Sequence, residues 1–190
     1  MRSLSDFVDF HITVCGIDEL QQHASAGVTH VLSILDPGTP APSAFAAFDR
    51  HERLDLRFHD ILDPAPLMQM AMPEDIERLL EFGRGLMARE AARLLVHCQM
   101  GISRSSAAMT LILAQARPDR PAEEALAEVA RIRARAWPNL RVIELGDQAL
   151  GRGGELISAA RARYRQMIGT RPEIAQAMES LGRLREIRGA

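Results

Sequence analysis

One stretch of the chain places a thiol and a guanidinium at the two ends of a single short loop. It reads Leu94-Leu95-Val96-His97-Cys98-Gln99-Met100-Gly101-Ile102-Ser103-Arg104-Ser105-Ser106. An apolar run ends in His97-Cys98, and five residues later Arg104 and Ser105 open a long apolar segment of helical period. The order predicts strand, tight loop and helix N-terminus. Such a loop turns its N–H groups inward at the positive end of a helix, so it favours an oxyanion. The same environment favours a thiolate over a thiol, and the thiolate is the nucleophile. Cys98 is therefore the candidate nucleophile. Arg104 is the candidate anion binder, because its planar fork grips two oxygens where a lysine offers a point charge. Gly101 lets the backbone approach the anion without a Cβ. Ser105 is placed to donate a hydrogen bond to Cys98 when sulfur leaves. His97 is expected to brace the loop through a hydrogen bond. Gln99, Met100, Gly101, Ile102 and Ser103 then line the substrate, and none of them is charged.

Elements able to position this loop surround it. Residues 10–15, 28–35, 54–58 and 93–97 are short β-rich or alternating runs, each followed by turn residues. Between and after them lie helical patterns at about 73–88, 102–116, 121–135 and 140–150, with Pro73, Pro118, Pro121 and Pro138 marking boundaries. Strands alternating with helices predict an α/β single domain, with a central, mostly parallel sheet of about four to five strands flanked by helices on both faces. Working sites in such sheets lie beyond the carboxyl ends of strands. Cys98 and Asp60 both fall there. The domain is expected over residues 1–150, with a Gly-rich hinge at 151–154 and a C-terminal helical extension over 151–190 packing on it. From Arg152 onward that tail holds eight Arg and four acidic residues. It reads as a solvated extension, or else as a docking surface for an acidic partner or a phosphorylated substrate.

Composition narrows the classes. The chain has 190 residues with 47% hydrophobic and 25% charged side chains, values that suit a globular domain rather than a disordered segment. A net charge of -2 supplies no global attraction to nucleic acid or an anionic membrane. All 23 basic residues are arginine. The sequence predicts no membrane-spanning segment and no signal peptide. Two cysteines make no disulfide framework, and a nucleophilic thiol requires a reducing compartment, so a cytoplasmic location is expected. The six histidines show no paired spacing for a metal ligand set. Neither a metal nor a cofactor is expected. Cys15, within an apolar strand, is expected in the core, with a redox partnership to Cys98 as the lesser possibility. Trp137, Met68, Met70 and Met72 are expected to serve packing.

The segment from Leu95 to Ser105 resembles the His-Cys-x5-Arg-Ser/Thr loop of the Cys-dependent protein tyrosine phosphatases, and its surroundings resemble their compact dual-specificity branch. Leu56-Arg57-Phe58-His59-Asp60 is similar to that branch's general-acid segment. Residues 73–87 resemble the helix before the phosphate loop, and Arg133 with Trp137-Pro138-Asn139 resembles the downstream Arg…Pro-Asn element. The likeness covers roughly residues 8–150. It implies a phosphatase-like fold and a two-step reaction through a phosphocysteine. Cys98 would attack, and Asp60 would serve as general acid and then base, with Asp63 as the rival. Arg104 would stabilise the phosphoryl oxygens, and Asn139 would support the site as a cap or brace. Phosphoinositide-specific relatives carry extra basic residues in this loop. Its neutrality here therefore implies a phosphorylated protein or a small phosphomonoester as substrate, phosphotyrosine first. The competing readings are a phosphate-binding pseudophosphatase and a rhodanese-type sulfurtransferase.

Overall fold

A computed structural model describes residues 7–89 and 91–189. Four strands form one sheet: β1 (His11–Gly16), β2 (His30–Leu35), β3 (Glu52–Arg57) and β4 (Arg93–Cys98). Their spatial order is β1-β4-β2-β3, and every pairing is parallel. β4 is thus internal, paired on both sides, and its residues from Leu94 to Cys98 are buried. β1 and β3 are the two edge strands, and β3 shows an alternating pattern with charged residues facing out.

One face of the sheet is packed by α-helices. These are α1 (Pro73–Met87), α2 (Arg104–Ala116), α3 (Ala122–Ile132), α4 (Leu140–Leu150) and α5 (Glu155–Thr170). Their apolar residues share a single core with Val14, Leu32, Ile34, Leu94 and Val96. α2 lies in the middle of this layer, and its residues from Arg104 to Ala114 are all buried. The other face carries a smaller core of Cys15, Leu20, Val28, Val31, Phe45 and Leu95. Two 3-10 segments, Ile17–His23 and Ser43–Ala47, cover it in place of α-helices. Connections there are too short and too broken by Pro37, Pro40 and Pro42 to build full helical turns.

The Gly-rich stretch after α4 is a tight turn with Gly151, Gly153 and Gly154 at positive φ. Asp147 fastens it, accepting hydrogen bonds from the backbone N–H groups of Gly154 and Leu156 at 2.7 and 2.9 Å. Beyond the turn, α5 buries Leu156, Ala160 and Tyr164 in the main core. Tyr164 stacks on Trp137 with ring centroids 4.5 Å apart, so Trp137 is a packing residue, as expected. Two short helices end the chain, α6 (Glu173–Ser180) and α7 (Leu184–Arg188). α6 buries no residue, whereas Arg183 and Glu186 beside and within α7 are buried. The tail is therefore not simply a solvated surface. Among the described residues no helix is long and apolar enough to cross a membrane.

Candidate active site

β4 delivers Cys98 to the carboxyl end of the sheet, and the chain turns through residues 99–103 into α2, which starts at Arg104. The turn's orientation follows from where its carbonyl groups go. Gln99 accepts from the Ile17 N–H at 3.1 Å, Ile102 from the Trp137 N–H at 3.0 Å, and Ser103 from the Asn139 N–H at 3.2 Å. The Gly101 carbonyl accepts from Arg133 at 2.9 Å, and that of Met100 from Arg133 and Arg135 at 3.1 and 3.0 Å. With all of these carbonyls drawn outward, the loop amides face its interior and form an anion-binding concavity.

Arg104 closes the loop at the start of α2. Its side chain is 4% exposed, and Nη1 donates to Asp36 Oδ1 at 2.6 Å and to the Phe58 carbonyl. Nε is buried and has no hydrogen-bond partner among the described residues. One side of the fork is thus fixed while the Nε side remains available for two oxygens of a phosphoryl group. Cys98 is 1% exposed, and its Sγ lies 3.1 Å from Ser105 Oγ.

Gly101 has φ +65°, and a Cβ there would overlap the backbone of Cys15 and Gly16. Its smallness serves the neighbouring strand β1, not only the approach of an anion. Gly101→Ala is expected to cost about 2 kcal/mol or more, from the left-handed backbone and the overlap with β1 together. Denaturant unfolding would show this as a lower midpoint, with loss of any loop-dependent activity.

Asp60 lies against the loop. Its Oδ1 accepts from Ser103 Oγ at 2.7 Å, Asn139 Nδ2 at 2.8 Å and Arg183 Nη1 at 3.0 Å. Burial raises the pKa of this carboxyl, but Arg183, Ser103, Arg104 and Asn139 together outweigh it and hold the group below its ordinary value. The segment carrying it is clasped by His59, whose N–H donates to the Gln69 carbonyl at 2.7 Å while its Nδ1 accepts from the Gln69 N–H at 2.9 Å. Asp63 sits apart, exposed and paired with Arg185 at 3.2 Å. Asn139 caps α4 by accepting from the Val142 N–H at 3.0 Å, so one side chain joins helix cap, loop and Asp60. Met68 and Met72, expected to serve packing, are substantially exposed, as is Met100 in the loop.

The hydrogen-bonding brace expected of His97 is not made. Among the described residues neither ring nitrogen has a hydrogen-bond partner, and the ring packs against Phe45 with centroids 5.6 Å apart. Burial pushes its pKa down to about 4, with the Cys98 backbone acting in the other direction. Cys15 pairs in register with His97. Side chains alternate along a strand, so Cys15 shares the smaller core while Cys98 belongs to the larger. The two thiols face opposite sides of the sheet, and burial pushes Cys15 up to about 12.

No protein-family model matches the sequence, and comparison with curated proteins gave no match. Comparison with solved structures did. Human DUSP28 superimposes with a TM-score of 0.56 at 18% identity, covering 74% of this chain and 92% of that one. The PTP-2 phosphatase of Cydia pomonella gives 0.58 at 19% identity, with 73% and 84% covered. Tk-PTP in its active form gives 0.53 at 22% identity, with 78% and 99% covered. The chain has the dual-specificity phosphatase fold. Within that fold the strand-end loop of β4 is flanked by the ends of β1 and β2, so Gly16 and Asp36 both border it.

Three residues of this phosphatase-fold site escaped the sequence reading. Asp36 opens an Asp-Pro-Gly turn sequence, and its place directly after the buried strand β2 puts it at a sheet end. Glu19 binds Arg133 at 2.9 and 2.7 Å, which draws its pKa down to about 2, and accepts from the Gly16 N–H. Arg183 was left within an arginine-rich tail. No local signal singles it out.

Proposed function

We propose that this protein is a Cys-dependent, metal-independent phosphomonoester hydrolase acting on phosphotyrosine or other phosphorylated protein residues. The phosphatase unit is residues 1–150, with 151–190 packed on it. The observation that carries this reading is the buried Nε of Arg104, without a partner among the described residues, at the end of the loop that Cys98 opens. A buried donor without a partner is costly in a folded protein unless a ligand completes it.

The reaction runs in two displacements. Cys98 Sγ attacks phosphorus as the ester P–O bond breaks, and Asp60 gives its proton to the departing oxygen. Water then attacks the phosphocysteine, its proton passes to the Asp60 carboxylate, and the S–P bond breaks. Ser105, at 3.1 Å, donates to sulfur as it leaves. Arg104 and the loop amides of Gln99, Met100, Gly101, Ile102 and Ser103 hold the equatorial oxygens in both steps. Because Arg183 and its neighbours hold Asp60 below its ordinary value, the protonated form is populated only on the acid side. Acid-assisted turnover therefore falls as pH rises and is largest at the acid end of the profile.

Contact with the loop favours Asp60 over Asp63. Asp60→Asn should slow hydrolysis of a poor leaving group such as phenyl phosphate by on the order of 100-fold or more, the usual size of general-acid assistance. Asp63→Asn should stay close to wild type. If only Asp63→Asn slows the reaction, the acid has been misassigned. A second reading is a phosphate-binding pseudophosphatase, favoured by the internal ion pairs on Arg104 and Asp60. Purified protein that binds inorganic phosphate but turns over aryl phosphates no faster than Cys98→Ser would select it.

A further inference from the structure

The C-terminal tail reaches into the site through one side chain. Gly182, at φ +72°, turns the chain after α6 and drops Arg183 into the protein, where it is 6% exposed. Its Nε and Nη2 grip both oxygens of Glu186 at 2.7 and 2.6 Å. Glu186 is itself fully buried and tied to the Trp137 indole N–H and the Leu140 N–H. The remaining donors of Arg183 reach Asp60 Oδ1 at 3.0 Å and Ser103 Oγ at 2.9 Å. Asp60 Oδ1 thus receives three donors, from Ser103, Asn139 and Arg183, and no hydrogen bond is made to Oδ2 by the described residues. The asymmetry suits a proton donor: one oxygen is held, and the other is left to carry the proton.

We propose that Arg183, supplied by the C-terminal tail and braced by Glu186, is a positioning residue that orients Asp60 so that Oδ2 delivers the proton to the leaving group. This rests on the phosphatase reading above. It makes α7 a working part of the site. The charged groups facing Asp60 are Arg183 and Arg104, with Glu186 reaching it only through Arg183. Removing the Arg183 cation leaves burial less opposed, so the Asp60 proton is retained to higher pH.

The test compares wild type with Arg183→Lys, Asp60→Asn, the charge-balanced pair Arg183→Met/Glu186→Gln, and that pair combined with Asp60→Asn. The balanced pair avoids leaving Glu186 as an unpaired buried charge, and Arg183→Lys keeps the charge should the pair not fold. Hydrolysis of phenyl phosphate and p-nitrophenyl phosphate is followed against pH. The pair should lower kcat on phenyl phosphate by roughly 10- to 100-fold, the scale of a misplaced catalytic group. The loss on the better leaving group should be smaller, and KM should change little. The basic limb of the profile should move to higher pH in the pair and stay near wild type in Arg183→Lys. In the Asp60→Asn background the pair should cause no further loss. A wild-type basic limb in the pair, or losses that simply add to those of Asp60→Asn, would overturn the proposal while leaving the phosphatase reading intact. A wild type that hydrolyses neither compound would overturn both.

Discussion

Cys98→Ser should lose on the order of 10⁴–10⁶ in kcat on aryl phosphates while keeping its fold and its affinity for phosphate. A serine hydroxyl attacks only with a base to take its proton. The neighbour of Cys98 Sγ is Ser105 Oγ, itself a hydroxyl. His97, adjacent in sequence, points to the other face of the sheet against Phe45. No base stands ready, and a serine at position 98 would remain protonated. The anion site is built from other atoms, the loop amides and Arg104, with the loop held by its outward carbonyls, so it should survive the exchange. Steady-state assay and phosphate titration by calorimetry check the two halves of this expectation. Retention of a tenth of wild-type kcat would assign the nucleophile elsewhere.

Arg104→Lys should reduce kcat/KM by on the order of 100- to 1000-fold despite conserving charge. In the native site Nη1 is anchored to Asp36 and the Phe58 carbonyl, which sets the plane of the guanidinium. That anchoring leaves the buried Nε without a partner among the described residues. An ammonium group cannot be held by Asp36 and also present two parallel donors to a phosphoryl group. If it pairs with Asp36 it leaves the anion, and if it turns to the anion Asp36 loses its partner. Vanadate inhibition, which reports the trigonal-bipyramidal arrangement, should weaken in step with kcat/KM. A lysine variant within fivefold of wild type would show that charge alone is enough.

The parts of this architecture that could be read from the chain were those written locally. A thiol after an apolar run and an arginine at the head of a helical pattern are separated by five residues, so loop geometry follows from sequence distance. The four strands were legible for the same reason, as was Asp60 at the end of β3. What could not be read were partners chosen by packing. Asp36 meets Arg104, Glu19 meets Arg133, and Asp60 meets Arg183 across separations of 68, 114 and 123 residues. In a chain whose cations are all arginine, nothing in the local pattern separates a solvated arginine from a buried one. His97 failed for a related reason: its strand parity turns the ring away from the loop, and parity is settled by which face the core occupies. The same parity argument places Cys15 and Cys98 on opposite faces.

The central claim is that Cys98 carries the phosphoryl group. Asp60→Asn protein, which should lack the base for the second displacement, can be mixed with p-nitrophenyl phosphate and quenched in denaturant within the first turnovers. Mass spectrometry of the tryptic peptide from Leu94 to Arg104 would then follow. A phosphoryl adduct on Cys98 that forms with the burst of nitrophenol and decays with turnover is the predicted result. Turnover without an adduct on that peptide, persisting in Cys98→Ser, would contradict the account.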